Sequence, residues 1–357
     1  MNQPSVNKYA VIGGGLAGCL MAARLVMRGQ EVVLIDHPQP NSASKVAAGL
    51  FNVITGRFGA KSWLADTLLE KLNQFLQIPA FLSLQPYVHY QKIYRPFREV
   101  AEFNKWQNRT ADPRFQHLFE LVENPVYEEQ IINPHGGINI LPCGWIDLKG
   151  FLKEMKRILT QNLGVNYFEA LIDYEEIDHQ KKVINSSFGH ISFDHLIFCQ
   201  GASTISNPFF SYLPIIPNKG ELLTIHAPDL QLPFILSKKV YLIPLGEQYF
   251  LTGSTYQNQF SHTEPTEEGK AEICQFLDQA INVPYKIVEQ QAGVRPTTKD
   301  RRPIAGTHPQ FPYIHIVSGF GTKGVLLSPY ISELMADLLV GTQKKLPEEV
   351  HISRFRR

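Results

Sequence analysis

A run of glycines between two strand-like apolar segments constrains this chain more than any other feature. Tyr9-Ala10-Val11-Ile12 leads into Gly13-Gly14-Gly15-Leu16-Ala17-Gly18. Leu16, Leu20, Ala23 and Met27 then recur at helical spacing up to Gly29, a plausible C-terminal stop. Glu31-Val32-Val33-Leu34-Ile35 reads as a second strand and ends in Asp36. Strand, glycine turn, helix, strand and acid in one short unit predict a dinucleotide-binding fold. Gly13 permits the tight turn, Gly15 lets backbone approach a pyrophosphate, and Gly18 lets the helix pack closely on the strand. The helix start at Leu16 and Ala17 presents unpaired N–H groups and a positive dipole end to phosphates. Asp36 can accept hydrogen bonds from a ribose and would repel a 2′-phosphate, which disfavours NADP. FAD and NAD both remain open at this point.

Composition narrows the remaining classes. A prior of about 150 residues per domain gives two domains, or one large one, for 357 residues. The 44% apolar content, with 22 Phe and 14 Tyr, is that of a folded chain with ample core. The 34 Lys+Arg against 33 Asp+Glu leave a formal charge of +1, which argues against a dedicated binder of nucleic acid or anionic membrane. Cys19, Cys143, Cys199 and Cys274 lie far apart without zinc-site or disulfide spacing, as buried thiols in a reducing cytoplasm would. No metal site is expected. No run of about 18 apolar residues suggests a membrane span. Lys8 followed by the uncharged stretch Tyr9–Ala23 could pass for a secretory signal, but the glycine turn explains its composition better.

Further motifs lie along nearly the whole chain. Ser44-Lys45-Val46-Ala47-Ala48-Gly49-Leu50 follows the first unit. Leu196–Ala202, Leu213–Glu221, Val240–Pro244 and Thr252–Thr255 occupy the middle. Gly293-Val294-Arg295-Pro296-Thr297-Thr298-Lys299-Asp300, then Pro303-Ile304-Ala305-Gly306, then Ser318–Pro329 with Gly319-Phe320-Gly321-Thr322-Lys323-Gly324-Val325, close the set. Together they resemble the FAD-dependent D-amino-acid oxidase superfamily, most of all its glycine oxidase branch. The FAD domain of the bifunctional tRNA-modifying protein that trims carboxymethylaminomethyl-uridine is also similar. The resemblance is weakest over residues 80–135.

The resemblance implies an α/β fold in which a Rossmann-like, GR2-type FAD-binding domain is interleaved with an antiparallel-sheet substrate domain. Residues 1–79, 141–212 and 288–357 are assigned to the first, and 80–140 and 213–287 to the second. No single cut of the chain should then separate them. The local pattern is compatible: Leu148, Phe151, Leu152, Met155, Ile158 and Leu159 form a helical stripe before the strand-like Val165–Phe168, and residues 182–193 read as a hairpin. Leu327, Ile331, Leu334, Met335, Leu338 and Leu339 share a face of the last helix, with Pro329 near its first turn and Gly341 past its end.

Site residues follow from the same resemblance. Arg295 matches the arginine that holds a substrate carboxylate through a planar fork, the alternative being an ion pair with Asp300 or a nearby Glu. Tyr241 matches an active-site tyrosine, and Leu50, Tyr256 and Thr322 are pocket walls. A tyrosine on a half-buried strand is also often simple packing. Non-covalent FAD is expected against Gly13, Gly15, Leu16, Ala17, Gly18, Asp36, His37, Ser44, Ala48, Gly49, Leu171, Gly293 and the loop Phe320–Val325. In that loop, backbone N–H groups and Lys323 would meet flavin N1 and C2=O. Relatives with covalent flavin use a cysteine near the C-terminal motif, and no cysteine follows Cys274. Sarcosine oxidases place a lysine near flavin N5 where Leu251 stands here. Arg57 and Lys61 could face an anionic ligand or simply flank a helix. Arg354, Arg356 and Arg357 read as a solvated end.

The implied activity is oxidation of the C–N bond of a small amino acid or N-substituted glycine, by hydride transfer to flavin N5. Oxygen would be the acceptor, giving peroxide, and the imine would hydrolyse to a 2-oxo acid. Three alternatives are carried: the same chemistry on a carboxymethylaminomethyl group of tRNA, which the balanced charge disfavours; a dehydrogenase with another acceptor; and a flavin-binding protein without turnover. The expected location is cytoplasmic, and oligomeric state is left open.

Overall fold

The structure, a computed structural model, describes residues 6–56, 59–110, 112–113, 115 and 117–355. The glycine-rich unit folds as strand β1 (Lys8–Ile12), helix α1 (Leu16–Val26) and strand β2 (Glu31–Asp36). Gly13 adopts φ +105°, and its N–H donates to the Ile35 carbonyl at 2.8 Å. A Cβ on Gly18 would stand 1.7 Å from the Gly13 carbonyl oxygen, so the start of the helix can sit on the turn only without a side chain there.

Further along come β3 (Leu50–Asn52), α2 (Leu148–Arg157), β4 (Asn166–Glu169), β5 (His195–Phe198), β6 (Ile215–His226), β7 (Val240–Gly246) and β8 (Tyr249–Gly253). Helix α3 (Glu267–Leu277), β9 (Lys286–Thr298), β10 (Ile304–Thr307), β11 (Ile314–Ser318) and α4 (Gly324–Leu339) complete the elements that build the site. One sheet runs β4-β2-β1-β5-β11-β10, parallel except for the last pair. Its central strands are almost wholly apolar because both faces are covered. Tyr9 and Val11 face a core with α1 and α4, while Ala10 and Ile12 face a second core. Gly189–Ser192 pairs with Val183–Ser186 in the expected hairpin. Helix α4 begins at Gly324, earlier than its apolar stripe suggests. Pro329 therefore falls in the second turn, where it removes an intrahelical bond. Among the described residues no helix is long and apolar enough to cross a membrane.

The second large sheet runs β9-β6-β8-β7, then Ile235–Lys238, Ile93–Pro96, Gly137–Ile140 and Phe119–Val122. Two features differ from the sequence expectation. Ile235–Lys238 and Ile93–Pro96 pair in parallel, so the sheet is not purely antiparallel. They belong to distant stretches of chain, and a long crossover permits parallel pairing. Residues 288–298, expected with the cofactor-binding segments, form most of β9. The ladder with β6 runs from Lys286 to Thr298, with one bulge, so 287/288 falls within the strand.

Strand β6 sorts its residues by alternation. Asn218, Gly220 and Leu222 line the large cavity, whereas Lys219 and Glu221 are buried on the other face. Lys219 Nζ lies 3.1 Å from Glu221 Oε1. The same carboxylate accepts from the Thr266 N–H at 2.9 Å, the Thr266 hydroxyl at 2.8 Å and Gln290 Nε2 at 2.7 Å. Thr266 in turn caps α3, so this cluster fastens the helix to the sheet. Burial pushes the Glu221 carboxyl up, but the Thr266, Lys219 and Gln290 hydrogen bonds outweigh it and leave the pKa below its ordinary value. Replacing Lys219 with Met leaves a buried charge without its partner and should cost about 3–5 kcal/mol in denaturant unfolding. Because the folded pKa is depressed, the carboxylate's contribution is complete above an unfolded value of about 4.3 and fades as pH falls through the folded one. The stability gap between the native chain and Glu221→Gln should narrow over that window.

Candidate active site

The two sheets meet at one cavity of about 1950 Å³. At its nucleotide end, Gly13, Gly15, Leu16 and Ala17 present the start of α1, whose N-cap Gly15 brings no capping side chain. Ser44 Oγ accepts from the Leu16 N–H at 3.2 Å, and a Cβ on Gly15 would approach that oxygen at 2.9 Å. Asp36, His37, Ser44, Ala48, Gly49 and Leu171 line the same cavity. Gly18 alone of the expected cofactor residues is not part of the lining; it is needed beneath the turn. Gly49 lines the wall, but its φ of +66° and the Ile146 carbonyl, 1.9 Å from where a Cβ would be, give it a packing reason to be glycine.

Asp36 has two protein partners of its own. Its Oδ1 accepts from the Gly14 N–H at 2.7 Å, and its Oδ2 pairs with Lys156 Nζ at 2.7 Å. Lys156 also donates to the Tyr167 hydroxyl at 3.2 Å. Burial pulls the Lys156 ammonium down, but Asp36 more than offsets this and holds its pKa above the ordinary value. Each Asp36 oxygen keeps a lone pair for a further donor. An open helix start, glycines that bare the backbone, and a fixed carboxylate at the strand end fit the pyrophosphate and ribose of FAD.

At the other end, the loop Phe320–Lys323 leads into α4 and hydrogen-bonds to β9 through the Gly321 N–H and the Pro296 carbonyl at 2.9 Å. Gly293, Phe320, Gly321, Thr322, Gly324 and Val325 all line the cavity there. Lys323 Nζ donates to Ser62 Oγ at 2.7 Å. Burial, then nearby Arg302 and Arg301, push its pKa below the ordinary value. Leu50 and Leu251 stand on an apolar wall with Ile243, which is paired with Leu251 across β7 and β8. Tyr241 lines the cavity; burial raises its phenol pKa, with Asn52 and Ser237 acting in the opposite sense.

Arg295 is half-buried and has no acidic partner among the described residues. Its alternative partner Asp300 is instead engaged by Arg354, at 3.0 Å. Nη1 donates to Asn218 Oδ1 at 2.8 Å and to the Thr255 carbonyl at 3.3 Å, while Nη2 donates to Ser254 Oγ at 2.5 Å. The guanidinium lies 4.7 Å from the ring centroid of Tyr256, which is 65% exposed and forms the outer wall. Burial lowers the Arg295 pKa, an uncompensated cation being costly in such a place. Of the other residues singled out, Lys61 lines the cavity and pairs with Asp66 at 2.5 Å. Arg57, Arg356 and Arg357 lie outside the described residues. Cys19, Cys143 and Cys199 are buried; burial pushes the first two thiols up to about 12 and Cys199 also up. Cys274 is partly exposed.

Sequence reasoning missed Asn218, Gly220, Ser254 and Lys156. The first two were within reach, since period-2 alternation along Pro217–Glu221 puts them on one face. A Cβ on Gly220 would stand 2.0–2.3 Å from the Arg295 guanidinium. Gly220→Ala should therefore displace a flexible side-chain end rather than backbone. If Arg295 holds a ligand carboxylate, the expected outcome is a loss of about tenfold to a hundredfold in affinity for carboxylate-bearing ligands, with thermal melting little changed.

Comparison with known proteins bears on the family and the fold. The family model described as FAD dependent oxidoreductase matches residues 8–338. The glycine oxidase of Pseudomonas aeruginosa is 23% identical, over 94% of this chain and 95% of its own. The bifunctional protein ThiO/ThiG of a Nostoc species is 26% identical over 96% of this chain, and the match spans 54% of that relative's length. The chain likewise matches 58% of the length of the bifunctional tRNA 5-methylaminomethyl-2-thiouridine biosynthesis protein MnmC of Campylobacter jejuni, at 22% identity. Among solved structures, iminodiacetate oxidase from Chelativorans superposes with a TM-score of 0.77 at 19% identity, covering 96% of this chain and 97% of that one. A match to the family model over nearly the whole length, on a fold of this kind, makes the chain a member of the FAD-dependent oxidoreductase family typified by D-amino-acid oxidase.

Proposed function

We propose that this protein oxidises the C–N bond of a small amino acid or N-substituted glycine. The observation that carries the reading is Arg295, a half-buried guanidinium with neutral partners facing the cavity that fits FAD. A cation in that state is ready for a carboxylate, which it can hold through two parallel N–H donors. With the carboxylate held there, Tyr241, Leu50 and Leu251 bound the space left for the substrate's Cα and nitrogen, and Tyr256 closes it toward solvent. FAD supplies the two-electron oxidation when bound, non-covalently; the protein's share is orientation and exclusion of water. The imine product hydrolyses to a 2-oxo acid, and oxygen is the proposed acceptor. Relatives described as glycine oxidase and a structural neighbour described as iminodiacetate oxidase support the amine chemistry.

A second reading takes a carboxymethylamino group on tRNA as the N-substituted glycine. The MnmC relatives favour it, as do Lys149, Lys153, Arg301, Arg302 and Lys323 along the cavity wall. The formal net charge of +1 weighs against it.

Anaerobic titration with glycine, sarcosine, D-amino acids and proline should bleach the flavin absorption with at least one of them. Peroxide release under air tests oxygen as acceptor, and electrophoretic retardation of tRNA at low salt tests the second reading. Arg295→Lys should lower kcat/KM for the reactive amino acid by about 30-fold or more, with little change for an amine lacking the carboxylate. Equal loss for both would remove Arg295 from the substrate site.

A further inference from the structure

The partners of Arg295 are all neutral. Asn218 Oδ1, the Thr255 carbonyl and Ser254 Oγ take three of its five N–H groups, and the Tyr256 ring lies against it. The donors left over are Nε–H and one on Nη2, both available to a carboxylate. Asn218 is 5% exposed, and its amide is fixed from both sides. Oδ1 must face the guanidinium, which can only donate, so Nδ2 faces outward and donates to Asn258 Oδ1 at 2.8 Å. Asn258 is itself held in place. Its neighbour Gln257 bridges to Lys219 of β6 by two backbone hydrogen bonds, of 2.8 and 2.9 Å.

We infer that Asn218 is a positioning residue that determines specificity: it turns the guanidinium while leaving its charge uncompensated for a substrate carboxylate. Aspartate at this position would have nearly the same shape and a stronger bond to Arg295. It would also neutralise the cation and compete with the substrate for it. A residue needed only to fasten the segment Ser254–Asn258 would be under no such restriction. The neutral amide acts in the one way that orients Arg295 without satisfying it, and Asn258 sets the direction of that amide. The inference rests on the reading of Arg295 as the carboxylate-binding residue.

The test uses the FAD-loaded protein, the best amino acid from the titration panel, and the amide of that amino acid. The amide keeps the shape of the substrate and lacks its charge. Asn218→Asp should lower kcat/KM for the acid by about a hundredfold while the amide changes less than about threefold, so the acid-to-amide preference collapses. Asn258→Ala, which removes a hydrogen bond to Asn218 and none to Arg295, should raise KM for the acid by about three- to tenfold with kcat within about twofold. Its amide kinetics should stay level. A parallel loss for acid and amide in either variant, or no change in preference in Asn218→Asp, overturns the inference. If Asn218→Asp fails to retain FAD, Asn258→Ala decides by the same acid-to-amide ratio. Should Arg295→Lys itself fail to separate acid from amide, the carboxylate reading falls and takes this inference with it. Where Arg295→Lys separates them and Asn218→Asp does not, only the role of Asn218 is lost.

Discussion

The long antiparallel ladder between β6 and β9 is the interaction on which the site depends. It runs from Ile215–Thr298 to His226–Lys286 with one irregularity, and belongs to the large sheet. Its flanks reach into the cofactor-binding half. The Val294 N–H donates to the Asn41 carbonyl at 3.1 Å, and the Pro296 carbonyl receives the Gly321 N–H. Gly293 lets the ladder approach Val46, whose side chain would be 2.8 Å from an added Cβ. One pair of strands therefore carries Arg295 and Asn218 and sets their distance from both segments expected to hold FAD. Side chains on a hydrogen-bonded ladder are located more closely than side chains on loops.

The two faces of β6 handle buried charge in opposite ways. On the back, Lys219 and Glu221 neutralise each other, and the remaining lone pairs of Glu221 are taken by Thr266 and Gln290. That cluster is complete, and its stabilising effect lies in holding α3 to the sheet. On the front, Arg295 has hydrogen bonds without an opposite charge. The first arrangement leaves nothing for a ligand to do. The second holds a cation whose burial becomes favourable only when an anion arrives, which is what a binding site requires. Residues one position apart on a single strand thus serve stability and recognition, separated by the pleat alone.

Much of this was legible in the chain before any coordinates. The unit from β1 to β2 has a strong local signature, because its glycines, helix stripe and strand-end acid are all consecutive. The hairpin at residues 183–192 and the helix carrying Leu148 and Met155 were readable for the same reason. Arg295 and Tyr241 emerged by resemblance, and the structure brings both to one cavity wall. What stayed hidden depends on contacts between distant segments. Lys156 meets Asp36 across 120 positions of chain and Asn218 meets Arg295 across 77, distances over which local pattern carries no signal. The parallel pairing of Ile93–Pro96 with Ile235–Lys238 is equally non-local. The start of α4 was misplaced because its first turn is determined by the glycine loop and not by its apolar stripe.

The wall opposite the ladder is tied down by a charge as well. Lys323 reaches from the start of α4 to Ser62, and the Ser62 N–H donates to the Val53 carbonyl at 2.8 Å, beside Asn52 and β3. The loop that touches β9 at Pro296 is thereby joined to the strand on the far side of the cavity. Arg302, stacked 4.8 Å over Trp63, and Arg301 stand close enough to lower the Lys323 pKa, so the three cations repel one another. No carboxylate among the described residues pairs with Lys323, and its hydrogen bond to a serine leaves the repulsion in place. A bound group that becomes more negative as it accepts electrons relieves that repulsion. The N-terminal end of α4 contributes in the same sense through its dipole. Should FAD bind against this wall as proposed, the wall's charges would favour the reduced form over the oxidised one, through the same lysine that holds the wall together.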